Sequence, residues 1–244
     1  MGSTMGRIIK HYERSIVVAC DVNDIVSLKR LINDTCDVEG IGGYKIGSIL
    51  AIKYGLSELV RIIRDITDLP VIYDHQKAMT DIPDLGPKFV SVVKESGANA
   101  LIGFPHSGPV TEEKWIKACK GIGLEVIIGG EMTHPKYKRS EGGYIADEAL
   151  DEIYLLAAKL SINNFVVPGT RVERVKHYKE LLEPLVKDLT FFSPGFVAQG
   201  GIITEVAKVA GKRWHAVVGR AIYNAKNIRE AAKEMTRFLR NYCH

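Results

Sequence analysis

Cysteine is scarce and scattered: Cys20, Cys36, Cys119 and Cys243 form no C-x-x-C pair, and no histidine stands at metal-site spacing from them. That excludes the dense disulfide framework of a small secreted domain and the common zinc modules, and it fits reduced structural thiols in a cytoplasmic protein. Long apolar runs are absent, and the opening MGSTMGRIIKHYERS lacks the apolar centre of a signal peptide, so nothing points to a membrane. No low-complexity stretch or linker divides the chain, and no block of like charge gathers along it. The formal charge of +4 is spread out, which suits an anionic small ligand as well as nucleic acid and selects neither. Residues 1–14 read as an N-terminal extension, with the Met-Gly-Ser-Thr before Met5 a candidate cloning remnant.

What is present is an ordinary globular composition, 46% hydrophobic and 25% charged over 244 residues, enough for one large core. A parallel α/β barrel takes roughly 250 residues as one domain, so a single domain over residues 1–244 is expected. Residues 15–20 (SIVVAC) form an apolar run ending at Asp21, after which Asp24 caps a helical pattern through Ile25, Leu28, Leu31 and Ile32. The same grammar repeats. Strands are predicted at 43–47, 69–73, 98–104, 124–132, 162–167, 189–192 and 214–219. Helices are predicted from 48 to about 66, then over 87–96, 111–120, 146–160, 171–186, 203–210 and 228–242. Eight strand-then-helix units, with polar residues closing nearly every strand, is the count of a (β/α)8 barrel, whose chemistry sits at the C-terminal strand ends. An open doubly wound sheet is the alternative, but no GxGxxG turn follows the first strand.

Two stretches carry chemistry. In 71–86, VIYDHQKAMTDIPDLG, an apolar strand ends abruptly in Asp74, with Lys77 and Asp81 close behind. At about 4 Å and an effective dielectric of about 20, unit charges couple by roughly 4 kcal/mol, enough to strain a bound anion; a solvated loop carrying a surface ion pair is the bland alternative. Lys45 lies inside the second apolar strand, where a buried ammonium needs a partner, and Asp74 on the adjacent strand is the obvious one. A purely structural ion pair would leave the same trace. The second stretch spans the last two strand ends, SPGFVAQGG (193–201) and VVGRAIYNA (217–225). Loops after strands seven and eight form the recurrent phosphate site of barrels. Gly200, Gly201 and Gly219 let the backbone approach, Gln199 offers an amide and Arg220 a two-pronged guanidinium. PKYKRSEGGY (135–144), polar and Gly-rich after the fifth strand, is the expected mobile loop over a ligand. His75, His106 and His134 occur in unrelated contexts and give no metal site; Phe191 and Phe192 read as core.

Six pieces in order, each at a strand end, resemble orotidine 5'-phosphate decarboxylases, especially archaeal forms. They are Asp21, YKIG (44–47), the Asp74-Lys77-Asp81-Ile82 cluster, EMTHP (131–135), PGFVAQGG (194–201) and VGRAIYNA (218–225). The resemblance covers about residues 17–232. It implies cofactor-free decarboxylation of orotidine 5'-phosphate to uridine 5'-phosphate, the last step of UMP synthesis, with no metal. In that scheme Asp21 binds a ribose hydroxyl, Lys45 bridges ribose and Asp74, and Thr133 contacts the pyrimidine. Pro194, Gln199, Gly219 and Arg220 surround the phosphate. Lys77 stabilises and protonates the C6 carbanion while Asp74 opposes the substrate carboxylate. Asp81 and Ile82 reach a neighbouring subunit's site, which implies a homodimer acting on a small phosphorylated nucleotide, not on nucleic acid. One departure stands out: the family spacing Asp-x-Lys-x-x-Asp-Ile is here lengthened by one residue on each side of Lys77, and Leu85 lies where a Thr is common. Two other readings remain: a magnesium-dependent sugar-phosphate decarboxylase or aldolase on the same scaffold (3-keto-gulonate 6-phosphate or hexulose phosphate), and a barrel that binds a nucleotide without turnover.

Overall fold

The computed structural model describes residues 6–75, 78–196 and 201–240. Its strands are short and apolar on both faces, as a sheet wrapped by helices requires. In chain order they are β1 (Arg14–Ala19), β2 (Ile41–Gly47), β3 (Val71–Asp74), β4 (Ala100–Gly103), β5 (Glu125–Gly129), β6 (Asn164–Val166), β7 (Thr190–Pro194) and β8 (Arg213–Val218). All pair in parallel in sequence order, and β8 closes on β1 to make a barrel. The helices are α1 (Ile25–Thr35), α2 (Ser48–Tyr54), α3 (Leu56–Arg64), α4 (Gly86–Glu95), α5 (Pro109–Gly121), α6 (Asp147–Lys159), α7 (Val172–Leu182), α8 (Gly201–Val209), α9 (Arg220–Tyr223) and α10 (Ile228–Arg240). The expected (β/α)8 architecture is therefore the observed one.

Period two along each strand divides the core into two layers. Ile16, Val18, Tyr44 and Ile46 face outward to the helices, whereas Val17, Ala19, Ile72, Ile102, Ile127, Phe192 and Val217 pack inside the barrel. Phe191 and Phe192 are both core, on opposite faces. Asp24 caps α1 as expected, accepting from the Ser27 backbone N–H at 2.7 Å. The single helix expected after β2 is two, because Gly55 adopts φ +80, a left-handed conformation glycine tolerates, and separates α2 from α3.

Two further segments make contacts of their own. The described part of the N-terminal extension is structural: Ile8 and Ile9 are buried with the barrel-interior layer, Gly6 N–H donates to Glu125 Oε1, and Glu13 pairs with Arg213. The segment 135–144 is tied by its own bonds. Tyr137 is buried, Lys138 bridges Ile145, Gly143 N–H donates to Lys138 O, and the Ser140 backbone N–H and hydroxyl both donate to Asp147. Composition showed its Gly and charge but not the one aromatic anchor. Cys20 and Cys119 are buried free thiols and Cys36 a partly exposed one; Cys243 lies outside the described residues. Among the described residues, no helix is long and apolar enough to cross a membrane.

Candidate active site

Alternation fixes the chemistry at the C-terminal end of the strands. Lys45 lies between outward-facing Tyr44 and Ile46, so its side chain points into the barrel; Asp74, two residues after inward-facing Ile72, shares that face. The β2/β3 register sets Gly47 against Asp74 and Lys45 against Ile72. Lys45 Nζ then lies 2.9 Å from Asp74 Oδ2 and 3.4 Å from Asp21 Oδ1. Lys45 and Asp74 are buried, and Asp21 is half-exposed at the rim. Burial works against the Lys45 charge, but the pull of Asp74 and then of Asp21 outweighs it, so its pKa is raised and the side chain stays a cation at neutral pH. Glycine at position 47 leaves room for the Asp21 carboxylate, since a Cβ there would lie 2.8 Å from Asp21 Oδ1 and push that side chain aside. Asp74 Oδ1 is buried and has no hydrogen-bond partner among the described residues.

These three residues line a pocket of about 340 Å³ at the barrel mouth. Thr133, Pro194, Gly219 and Arg220 line the same pocket from the ends of β5, β7 and β8. Gly219 caps the four-residue helix α9, whose first residue is Arg220. The structure thus brings together seven of the residues singled out in the sequence. Gly201 begins α8; Lys77, Gln199 and Gly200 lie outside the described residues.

Asp81 and Ile82 do not line this pocket. Both are exposed; Asp81 Oδ1 accepts from the Ile82 N–H, Thr111 donates to Asp81 O, and Trp115 donates to Ile82 O, which holds the pair over the start of α5. Within the lengthened stretch, Ala78 and Met79 are buried, Phe104 N–H donates to Ala78 O, and Met79 takes φ 69 with its side chain against Gly103. A positive φ is uncommon for a residue with a long side chain, and the packing of Met79 against Gly103 holds it there. His75 is drawn into an aromatic row, hydrogen-bonded to Tyr73 at 2.7 Å and edge-on to Phe89, which stacks with Trp115.

Glu131, on the pocket wall, has a role that the sequence reading missed. Its carboxylate is fully buried and saturated: Arg171 reaches Oε1 at 3.2 Å, and Arg174 and the Tyr178 hydroxyl reach Oε2, each at 2.7 Å. Arg171 also donates to Thr133 O. The signal was available as an acid directly after a buried strand and two arginines three residues apart at the start of a later helix. Among the described residues, no group of three or more His, Cys, Asp or Glu side chains is placed to hold a metal ion.

Fold and site define the class as a (β/α)8 barrel with a charged pocket at the C-terminal strand ends. The family model described as Orotidine 5'-phosphate decarboxylase / HUMPS family matches residues 14–235, and the chain belongs to that family. It is 34% identical over 220 residues to the orotidine 5'-phosphate decarboxylase of Pyrococcus abyssi, covering 90% of this chain and 96% of that protein. With the Methanococcoides burtonii enzyme of the same name it shares 30% identity over 221 residues, covering 90% and 94% respectively. Among solved structures, orotidine 5'-monophosphate decarboxylase from Methanocaldococcus jannaschii, complexed with inhibitor BMP, superposes with a TM-score of 0.80 at 28% identity, covering 93% of this chain and 98% of that one.

Proposed function

We propose that the whole chain is one catalytic domain, a carboxy-lyase that converts orotidine 5'-phosphate to uridine 5'-phosphate and CO2, the closing step of UMP synthesis, without metal or organic cofactor. The observation that carries this reading is the buried Lys45–Asp74 pair in the wall of the pocket, with the second Asp74 oxygen free of hydrogen-bond partners among the described residues. Loss of CO2 from C6 leaves an electron pair on a ring carbon with no adjacent sink, so fixed charge must stabilise it. Lys45 holds Asp74 in place through one oxygen and leaves the other for the substrate carboxylate, whose departure relieves the repulsion. Lys77 supplies the ammonium that stabilises the carbanion and delivers its proton to C6. Asp21 and Lys45 take the ribose hydroxyls, and Thr133 meets the pyrimidine at the rim. Pro194, Gly219 and Arg220 take the phosphate together with Gln199, Gly200 and Gly201. The inhibitor-bound relative supports a nucleotide ligand for this pocket.

The test is loss of orotidine 5'-phosphate absorbance by purified protein with and without chelator. Turnover is expected in both, and Lys77→Ala should lower kcat by about a thousandfold or more while nucleotide binding persists. Near-normal kcat in that variant would remove Lys77 from the mechanism, and chelator-sensitive turnover of a sugar phosphate would move the chain to a metal-dependent branch.

Asp81 and Ile82 act in a second copy's pocket, which makes the active unit a homodimer. Their exposure and their place outside the pocket of their own chain support this. Mixing inactive Asp74→Asn chains with inactive Asp81→Ala chains should restore about a quarter of wild-type activity, since half the dimers then carry one intact site. No recovery would mean that Asp81 serves its own chain or none.

A further inference from the structure

We propose that a second cavity, between α5 and α6, binds a primary amine with a small apolar body, its ammonium group pairing with Glu112. The cavity measures about 300 Å³ and does not share a residue with the barrel-mouth pocket. Pro109, Ile145 and Ile153 give it apolar walls, and among the described residues no lysine or arginine lines it. Glu112, in the first turn of α5, is 1% exposed, lines the cavity, and has an Oε1 atom without a hydrogen-bond partner among the described residues. A buried carboxyl oxygen without a donor, in the wall of a cavity, is costly unless something donates to that carboxyl group.

The surrounding groups select a cation. Glu152 of α6 adds a second carboxylate to the lining, and the exposed ring of Tyr144 stands at the entrance, suited to a cation over its face. His106 is not a competing donor: its Nε2–H is committed to Gly130 O at 3.2 Å and to the Tyr137 hydroxyl at 2.8 Å, and burial lowers its pKa so that it stays neutral. Burial pushes the Glu112 carboxyl up to about 8, so near pH 7 it carries a proton in the empty cavity. An arriving ammonium favours the carboxylate, and the carboxyl proton passes to solvent. Binding is therefore coupled to proton release.

Calorimetry of the full chain with benzylammonium, at pH 7 in two buffers of different ionisation enthalpy, tests this. Expected are saturable binding and a heat that differs between buffers by close to one released proton. Benzyl alcohol should bind about tenfold more weakly or not at all. Glu112→Gln should weaken benzylammonium about tenfold and abolish the buffer dependence, and Ala149→Phe, which fills the cavity from α6, should block binding with Glu112 in place. Absence of binding to wild type, equal affinity for the alcohol, or undiminished binding to either variant would overturn the assignment. None of these readouts involves decarboxylation, so their failure leaves the barrel-mouth reading untouched.

Discussion

Asp74 and Glu131 are both buried carboxylates on one pocket wall, and they differ in how completely they are used. Glu131 has two arginines and a tyrosine hydroxyl across its oxygens, leaving nothing for a ligand. Asp74 has one oxygen on Lys45 and the other unpartnered among the described residues. Full satisfaction suits a carboxylate that builds the wall; partial satisfaction, under the proposed reaction, suits one that acts on what enters.

The contrast gives its largest effect in a pair of isosteric substitutions. Asp74→Asn should lower kcat for uridine 5'-phosphate formation by about a hundredfold or more, with modest loss of stability because Lys45 keeps Asp21. Glu131→Gln should do the reverse: it leaves two guanidinium groups facing an uncharged amide and should cost about 3 kcal/mol in urea denaturation, with a much smaller change in kcat for the folded fraction. If Glu131→Gln lost activity as steeply as Asp74→Asn without losing stability, the division between wall and actor would fail.

A smaller effect sharpens the comparison at the other end of the barrel interior. His215 is buried against Ser15 Oγ at 2.8 Å, and burial pushes its pKa down to about 3. Its folded pKa lies below the unfolded value of about 6.5, so the unfolded chain binds the extra proton first. Stability tied to His215 is thus complete above about pH 6.5 and is lost as the pH falls toward 3. The denaturation midpoint of wild type should fall over that window, and His215→Gln should flatten the decline. The smallest effect belongs to solvent-exposed charge: Arg61, forked between Glu58 and Asp65 on the outside of α3, should be replaceable by alanine with no measurable change in kcat and little in the denaturation midpoint.

Much of this was legible because the barrel repeats one rule. Apolar runs ending in Asp21, Asp74 or Gly219 placed those residues at one mouth, and a lysine inside an apolar strand called for Asp74 on the adjacent strand as its partner. What the sequence hid depended on contacts distant in the chain. The saturation of Glu131 requires Arg171 and Arg174, some forty residues on. The burial of Ile8 and Ile9 requires a closed barrel to bury them. The break at Gly55 was missed because the apolar pattern of α2 runs on into α3 without a gap, and only the φ of that one residue separates them.

The seam where β8 meets β1 is clasped by Glu13 on Arg213, 200 positions apart. A chain emerging from the ribosome therefore holds the first strand with one flank open until nearly all the rest has been synthesised. Folding cannot finish by growing outward from the N-terminus, and this late ring closure sets the period in which an unpaired strand is exposed to strangers.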